Sequence, residues 1–361
     1  MKKLLTLRLM AFTTSIFADY LFVVPQKPGS GTSQWAQIVA TQLEPFLGEK
    51  IHLKHIPGAR DIPGFNEFHN SLRVSDKVVM VSHGGNGVSF LQEEVDYDYR
   101  EYDSIGLMNL NIIAAKRIGE NMDYPKFSGG SGKVPEAWAM ALLICGNKST
   151  SMDYYIACFN EHVTWVNGMS NSERRLAFKR GELNGTRENP AAYKKHVETD
   201  ENAEIWFHHG ILQADGSHTD DPNHPGFQLE ILFEERWDAP PSGEFYDAYK
   251  LVKSFRDGMQ KALWVNKGNQ NTFALRNALH QMTLDPDAVA AIQKKVGNYE
   301  WKIGEDGNAQ VNTLIELITP AALKNLIRFN EEALGLNSIY KDHLVIEVEV
   351  PVQLEGTDLR G

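Results

Sequence analysis

The chain has 361 residues, 42% of them hydrophobic and 23% charged, which excludes the disordered, collagen-like and small disulfide-rich classes of protein. At roughly 150 residues per domain, this length predicts about two domains. The 36 basic and 47 acidic residues give a net charge of -11, which opposes binding to nucleic acid or to anionic lipid. The 2 cysteines exclude a cysteine-rich zinc array.

Residues 1–18 are typical of a secretory signal peptide. Lys2 and Lys3 precede a mostly apolar run that ends at the small residue Ala18, after which we expect cleavage. The run is shorter than the roughly 20 apolar residues of a membrane-spanning helix. Because Arg8 interrupts it, an ordinary first helix is the alternative. We predict that the protein is exported from the cytoplasm.

Cys145 and Cys158 lie near each other in the sequence, each towards the end of a predicted helix, 135–145 and 152–160. An exported protein meets an oxidising compartment, where a disulfide between them is favoured. Closing so short a loop would add about 3 kcal/mol to the free energy of unfolding. A pair of buried thiols is the alternative.

The predicted elements follow the order strand, turn, helix, which builds a parallel sheet with helices on its faces. The predicted strands are 20–24, 51–55, 77–81, 114–117 and 162–166, with an edge strand in 344–352. The predicted helices are 34–47, 65–72, a short stretch through 91, 135–145, 152–160, 173–179, 245–262, 272–282, 286–296, 311–318 and 320–329. Residues 213–243 contain two polar, turn-rich insertions that we interpret as surface loops.

Four turns rich in Gly and Ser, at 28–33, 57–64, 82–89 and 128–132, each join a predicted strand to a predicted helix. In an open parallel sheet, such turns lie at the carboxyl ends of the strands, where ligands bind. Helix N-termini have unpaired backbone N–H groups that bind anions without Lys or Arg. The turns therefore predict a site for a small carboxylate, with hydroxyls from Ser30, Thr32, Ser33, Ser82 and Ser131. For any single turn, tight chain reversal alone is the alternative.

The same turns do not complete the known phosphate-binding or nucleophile motifs. The GSG of residues 29–31 begins like a dinucleotide-binding fingerprint, but Gln34 stands where the last glycine is needed. The SGK of residues 131–133 resembles a Walker loop, but Val134 replaces the required Ser or Thr. Lys133 also stands where a nucleophile elbow has its last glycine. We expect neither a nucleotide site nor a serine hydrolase.

The histidines and acidic residues of the middle region match no established metal-ligand spacing. These residues, which we interpret as solvated loop residues, are His208, His209, His218, Asp220, Asp221 and His224. We therefore expect no metal site. His83 lies in a predicted binding turn, where its imidazole either binds a carboxylate or caps the turn. Arg60 either clamps a carboxylate or pairs with Asp61 at the surface.

Five segments follow one another in an order found in one protein family. After the leader they are VVPQKPGSGTSQWAQIVATQL, HIPGARDIPG, FSGGSG, VTWVNGMSNSERRLAFKRGELN and ALWVNKGNQNTFALRNAL. The chain thereby resembles the periplasmic solute-binding proteins of tripartite tricarboxylate transporters, the Bug family. The resemblance extends from about Phe22 to about Phe329. Each segment is moderately specific, and the ordered set is more so.

The resemblance implies an α/β fold, the two-domain clamshell of type II periplasmic binding proteins, with each domain a mostly parallel sheet flanked by helices. The implied units are a signal peptide (1–18), domain 1 (19–113 plus 262–361) and domain 2 (114–261). The implied function is non-catalytic: the protein, without a cofactor, captures a small carboxylate in the periplasm and delivers it to a membrane permease. We expect a monomer. The insertion at 213–243 and the tail after 340 have no counterpart in the family.

The resemblance also implies a set of ligand-binding residues. From domain 1 these are Gly29, Ser30, Gly31, Thr32, Ser33, Ala59, Arg60, Asp61, Ser82, His83, Gly84 and Asn86, and from domain 2 Ser128, Gly130, Ser131, Gly132, Trp165, Asn167, Gly168 and Asn189. The chain departs from the family at Ser33, where the family commonly has Asp, and at Trp165, where it has Tyr. Arg60 and Asp61 replace a Gly-Gly pair. The identity of the carboxylate is therefore not implied.

Two other functions stay open at this point. A secreted enzyme would use His83 as a base near Ser82 or Asp61, although the sequence has no recognisable set of nucleophile, base and orienting residue. Loss of turnover in His83→Ala would support it. A ligand-sensing receptor for a signalling partner would have the same site, and only ligand-dependent capture of membrane partners would distinguish it from a transport protein.

Overall fold

The computed structural model describes residues 19–58, 61–84, 87–129, 135–297, 300–337 and 340–341. The predicted signal peptide (1–18) and the predicted edge strand in 344–352 lie outside the described residues. Within the described ranges, no helix combines the length and the apolar composition needed to cross a membrane.

The strands and helices alternate along most of the chain. The strands are β1 (Tyr20–Val24), β2 (Ile51–His55), β3 (Val78–His83), β4 (Tyr102–Asn109), β5 (Ile113–Arg117), β6 (Lys126–Gly129), β7 (Thr164–Asn167), β8 (Gly185–Glu188), β9 (Ala203–His208), β10 (Ile211–Leu212), β11 (His218–Thr219), β12 (Lys261–Asn266) and β13 (Glu300–Ile303). The helices are α1 (Gly31–Leu47), α2 (Ile62–Glu67), α3 (Pro135–Cys145), α4 (Met152–His162), α5 (Asn171–Lys179), α6 (Pro190–His196), α7 (Leu229–Trp237), α8 (Glu244–Gly258), α9 (Thr272–Leu284), α10 (Pro286–Val296), α11 (Glu305–Glu316) and α12 (Pro320–Glu332). The predicted bounds of β1, β2, α3 and α10 are confirmed.

The largest sheet has six strands in the order β13-β4-β12-β3-β1-β2, and we call it the large sheet. Its β1, β2 and β3 are parallel, whereas β12 and β13 pair antiparallel to their neighbours. The sheets are therefore mixed, and the prediction of mostly parallel sheets is wrong in this respect. Smaller sheets have the orders β8-β5-β9, β6-β7 and β10-β11.

Two helix predictions and one turn prediction change in the structure. The predicted helix 245–262 ends at Gly258, and Lys261 begins β12. This segment is a strand because it pairs with both β3 and β4 inside the large sheet, and such pairing overrides local helical periodicity. The predicted helix 65–72 is α2 followed by a single π-helical turn. In the predicted turn 128–132, Ser128 and Gly129 end β6 instead.

The large sheet separates two apolar layers. One face packs on α1 through residues such as Trp35 and on α9 and α10. The other face belongs to a core that runs without a break from Met80 in β3 to Trp138 in α3. In this core the Phe329 ring lies 4.3 Å from the Trp138 ring and 5.2 Å from the Phe245 ring. Helix α8 is buried along its last two turns, so it connects the two parts of the molecule.

The boundaries of the two domains stay a prediction. The large sheet draws its strands from residues 20–109 and 261–303, and the smaller sheets from residues 113–219. Helix α12, which the sequence assigns to domain 1, packs on α8 and α4, which it assigns to domain 2. Helix α12 therefore packs against the part of the chain that the sequence assigns to domain 2.

The two cysteines form a disulfide with their Cα atoms 6.0 Å apart. It joins the last residue of α3 to the middle of α4. The Tyr154 and Tyr155 hydroxyls donate to the backbone oxygens of Cys145 and Gly146 beside it. The helix pair that carries the disulfide is thus held at its turn by covalent and hydrogen bonds.

Candidate functional site

The turns after β1, β2 and β3 meet at one edge of the large sheet. The carboxylate of Asp61, at the start of α2, contacts the ring of His83 at the end of β3. Gln26, from the turn after β1, has its amide nitrogen 2.7 Å from His83 Nε2 and 3.3 Å from the Asp61 carboxylate. Three of the four predicted binding turns are therefore joined by their own side chains.

Asp61 has an unusual backbone conformation. Its φ of 63° lies in the left-handed region, which is uncommon for a residue other than glycine. Its side chain makes no capping bond to α2, because the carboxylate contacts His83 and Gln26 instead. Residues held in sparsely populated conformations concentrate at functional sites.

The N-terminus of α1 is preorganised by its own hydroxyl groups. The Ser33 backbone N–H donates to Ser30 Oγ at 3.2 Å, and the Gly29 N–H donates to Ser33 Oγ at 3.3 Å. Ser33 Oγ also lies 2.9 Å from His55 Nε2 at the end of β2. Gly29 has a φ of +81°, which favours glycine. Two of the predicted hydroxyls thus hold the turn itself.

Lys261, which the sequence analysis did not consider, lies in the middle of these turns. In the pairing of β12 with β3 it is directly opposite His83, and its ammonium group donates to Thr32 Oγ1 at 3.0 Å. Burial and the nearby Arg256 guanidinium lower the pKa of Lys261 to about 7, against the opposing influence of Asp61. We call Gln26, Thr32, Asp61, His83 and Lys261 the turn cluster.

Arg256 and Gln260 connect the turn cluster to the end of α8. The Arg256 guanidinium donates to the Gln260 side chain, and the Gly84 N–H donates to the Gln260 backbone oxygen at 3.1 Å. Burial lowers the pKa of His83 although Asp61 raises it, and the cationic Lys261 and Arg256 lower it further. Two basic side chains therefore face a largely neutral imidazole at this edge of the sheet.

A second group of charged residues surrounds the start of α3, directly after the fourth predicted turn. Glu136 is fully buried there, with Arg187 Nη1 at 3.5 Å and His209 Nε2 at 3.9 Å from its Oε1. Burial raises the pKa of Glu136, but Arg187, His209 and Arg256 hold it well below its usual range. Asp257 is also buried, and burial together with the nearby Glu136 raises its pKa well above its usual range. We call Glu136, Arg187, His209 and Asp257 the acid cluster.

Arg256 lies within electrostatic range of both clusters. It affects the pKa of His83 and Lys261 in the turn cluster, and that of Glu136 and Asp257 in the acid cluster. The beginning of α3 therefore lies near the turns after β1, β2 and β3. This arrangement brings together polar groups from the large sheet and from the smaller sheets.

Comparison with solved structures places this architecture among periplasmic binding proteins. BugD matches with a TM-score of 0.55 and 13% identity, over 87% of this chain and 97% of that chain. The chain has the fold of the Bug solute-binding proteins. A TctC solute-binding protein from Polaromonas matches with a TM-score of 0.50 and 14% identity, over 85% of this chain and 98% of that chain. Comparison with protein-family models and with curated proteins finds no match.

The Bug fold confirms the α/β clamshell class that the sequence predicts. A further match, a periplasmic transporter, has a TM-score of 0.51 and 13% identity, over 87% of this chain and 97% of that chain. These neighbours are binding and transport proteins of the periplasm. At such identities the likeness concerns the fold, and the ligand has to be inferred from the residues of this chain.

Several predicted ligand-binding residues have structural bonds in this Bug fold. The Trp264 N–H donates to Ser82 Oγ at 2.8 Å in the core, and the assignment of Ser82 to the ligand site stays a prediction. The Asn189 side chain caps α6. The Trp165 N–H donates to Asn167, whose amide donates to the Leu334 backbone oxygen at 2.8 Å.

The remaining predicted residues of the fourth turn and its neighbours are placed as follows. Gly168, with a φ of +87°, donates its N–H to the Gly129 backbone oxygen at 3.2 Å. Ser128 is buried, and its hydroxyl has no hydrogen-bond partner within the described part of the chain. Predicted site residues outside the described ranges are Ala59, Arg60, Asn86, Gly130, Ser131 and Gly132.

The interpretation of the candidate metal-ligating residues as solvated loop residues is wrong for His208 and His209, which are fully buried, with His208 at the end of β9. His208 Nε2 lies 3.0 Å from the His224 backbone oxygen and 3.2 Å from Asp220. Asp221 accepts hydrogen bonds from Asn111 and from Asn223. In the described ranges, no group of three or more His, Cys, Asp or Glu residues has an arrangement that could hold a metal ion.

Sequence reasoning missed the charged residues that link the two clusters. The predicted helix 245–262 included both Arg256 and Lys261, whereas the chain leaves the helix between them and enters β12. The run of large apolar residues from Ala262 to Val265 was the available signal for a strand. Glu136 gave no signal, because an acid in the first turn of a helix is also an ordinary stabilising residue.

Proposed function

We propose that this protein is an extracytoplasmic solute-binding protein that captures a small carboxylate between its two parts for uptake by a membrane permease. The observation that supports this proposal is the convergence of three turns and the N-terminus of α1 on Lys261 and Arg256. The periplasmic binding fold of the structural neighbours agrees with it.

The turn cluster provides the chemistry that a carboxylate requires. The α1 N-terminus supplies backbone N–H groups and a partial positive charge, and the Lys261 ammonium group lies beside it. Hydrogen bonds to a charged group contribute about 1.5 to 3 kcal/mol each. Four of them, less the cost of ordering the ligand, are sufficient for the roughly -8 kcal/mol of micromolar affinity.

Isothermal titration calorimetry with a panel of mono-, di- and tricarboxylates tests this function. We expect saturable binding of at least one compound, and Lys261→Met should weaken it by about tenfold or more through the loss of one charge-assisted bond. Lys54→Met, which changes an exposed lysine of β2 in the same sheet, is the matched control and should bind as the native protein does. Absence of saturable binding across the panel would contradict the proposal.

A secreted enzyme is the second candidate, and one observation favours it. Asp61 contacts His83 as an orienting acid contacts a catalytic base. Ser82, however, accepts its hydrogen bond from Trp264 in the core, so it is not positioned as a nucleophile for His83. Turnover of a carboxylate substrate that is lost in His83→Ala would favour the enzyme over the transport protein.

A further inference from the structure

The buried lysine of α8 has its acid partner in the 213–243 insertion. Lys253 is 1% exposed, and its ammonium group forms an ion pair with the Glu230 carboxylate. Glu230 lies in the first turn of α7, inside the insertion. The Tyr246 hydroxyl donates to the same carboxylate at 2.9 Å, and the Gln228 amide donates to it at 3.0 Å. Glu230 therefore accepts hydrogen bonds from three side chains, two of which belong to α8.

A second acid lies close to Lys253 and is not bonded to it. Asp257 follows Lys253 by four positions on α8 and is 1% exposed. Oppositely charged side chains at this spacing lie on the same face of a helix and stabilise it by pairing. Neither carboxyl oxygen of Asp257, however, has a hydrogen-bond partner among the described residues. Two acids are thus near one ammonium group, and Glu230 holds it.

Burial without a bonded cation favours the protonated form of Asp257. Burial raises the pKa of Asp257 well above its usual range. The charged groups that act on it, from α8, α3 and β8, are Arg256, Glu136, Lys253 and Arg187. The three cations lower the pKa but do not outweigh the burial. A protonated Asp257 adds no negative charge beside Arg256, which acts on the turn cluster.

We propose that Glu230 is a positioning residue for the carboxylate site: by binding Lys253, it keeps that ammonium group away from Asp257, which then stays uncharged at the end of α8. Without Glu230, the buried ammonium group would need another acid partner and would turn to Asp257. An opposite charge at such short range ionises a carboxyl group. The new negative charge would lie beside Arg256 and offset its attraction for a bound anion. The inference rests on the proposed function and adds a role for the insertion to it.

Carboxyl carbon NMR of protein that is isotope-labelled at its aspartates measures the charge of Asp257 without a ligand. The Asp257 resonance is identified by its absence from the spectrum of Asp257→Asn. At neutral pH we expect the protonated position in the native protein and the ionised position in Glu230→Gln, which keeps the side-chain shape and removes the charge. An Asp257 that is already ionised in the native protein, or that stays protonated in Glu230→Gln, would overturn the inference.

A control and a rescue variant separate this effect from a loss of packing. Asp247→Asn is the matched control, because Asp247 also pairs with a lysine of α8, Lys250, but the two side chains are 59% and 41% exposed. It should leave Asp257 protonated. The double variant that combines Glu230→Gln with Lys253→Met should return Asp257 to the protonated form, because the ammonium group that ionises it is gone. An Asp257 that stays ionised in the double variant would show that Lys253 is not involved, and the inference would be wrong.

A Glu230→Gln protein that fails to fold is replaced by Glu230→Asp, in which the carboxylate is withdrawn from Lys253 by one methylene group. The expected result is the same: Asp257 ionises at neutral pH. A protonated Asp257 in this variant would contradict the inference.

Calorimetry of the same proteins measures the consequence for binding, with acetate, succinate and citrate as probes of the three carboxylate classes. For a probe that the native protein binds, the affinity should fall by about tenfold in Glu230→Gln and recover in the double variant. Unchanged affinity in a variant with an ionised Asp257 would refute the positioning role. If no carboxylate binds to the native protein, the proposed function fails, and the NMR measurement still decides whether Glu230 controls the charge of Asp257.

Discussion

At the residue scale, Lys261 has the greatest influence on what the site can bind. It lies opposite His83, donates to Thr32 and shares its surroundings with Arg256. Two cations at short range raise each other's free energy, and burial adds to this cost. Under the proposed function, a bound carboxylate would offset this cost.

The lowered pKa of Lys261 predicts that the proposed carboxylate binding depends on pH. In the empty protein this pKa is lowered to about 7, and a bound carboxylate raises it, so binding takes up a proton when the pH exceeds 7. The affinity should therefore fall by up to tenfold per unit as the pH rises above 7. Calorimetry between pH 6 and pH 9 measures this slope directly.

The Lys261→Met variant shows whether the pH dependence of the affinity comes from Lys261 or from another titratable group. The groups that face Lys261 are Asp61, His83 and Arg256. Burial lowers the pKa of His83 below that of an ordinary histidine, so His83 does not titrate in the alkaline range. The variant should bind more weakly and without the alkaline slope. A slope that persists in the variant would assign the proton to another group.

At the element scale, Gly84 in the turn after β3 and Gly31 at the start of α1 have different structural roles. A Cβ atom at Gly84 would lie 1.9 Å from the Arg256 backbone oxygen, because the turn after β3 packs directly on the end of α8. A Cβ atom at Gly31, the first residue of α1, would meet nothing within 4 Å. One glycine permits close packing of two elements, and the other leaves the helix N-terminus open.

Gly84→Ala should therefore destabilise the protein and Gly31→Ala should not. The clash at Gly84 involves backbone on both sides, which no rotamer change relieves, and we expect a loss of about 3 kcal/mol in the free energy of unfolding. Alanine at Gly31 should leave the stability unchanged or raise it by up to about 1 kcal/mol. Urea unfolding of both variants measures the difference. Equal stabilities would show that α8 and the turn can move apart at little cost.

The elements that the sequence predicts well are those with strong local signals. The bounds of α10 follow from the proline at its start and the glycine after its end. By contrast, β4 is followed by the strand β5 and not by a helix, so it does not fit the strand-turn-helix order on which the prediction relied. Contacts such as that of Gln26 with His83 join residues far apart in the chain. They depend on which strands are neighbours in the sheet, and the periodicity of the sequence does not predict this order.

At the scale of the whole molecule, the two parts share one core. The apolar cluster runs from the large sheet through α8 to α3 and α12. Domains with separate cores often unfold separately, whereas a continuous core makes unfolding cooperative. The fold thus combines the two polar clusters with continuous apolar packing along α8.

Phe329→Ala tests this cooperativity. The Phe329 ring contacts Trp138 at 4.3 Å and Phe159 at 5.1 Å between centroids, and its loss should cost about 3 to 5 kcal/mol. We expect native protein and variant each to unfold in one calorimetric transition, with the midpoint lowered in the variant. Two resolved transitions, with only one displaced by the substitution, would mean that the parts unfold independently.

The Cys145–Cys158 bond has a consequence for how the protein is prepared. Glutathione and thioredoxin keep thiols reduced in the cytosol, so a recombinant chain retained there would lack the bond between α3 and α4. Helix α3 also carries Glu136 in its first turn. Material from a secretion host, or refolded with an oxidant, is therefore the appropriate sample for any titration in which the orientation of α3 matters.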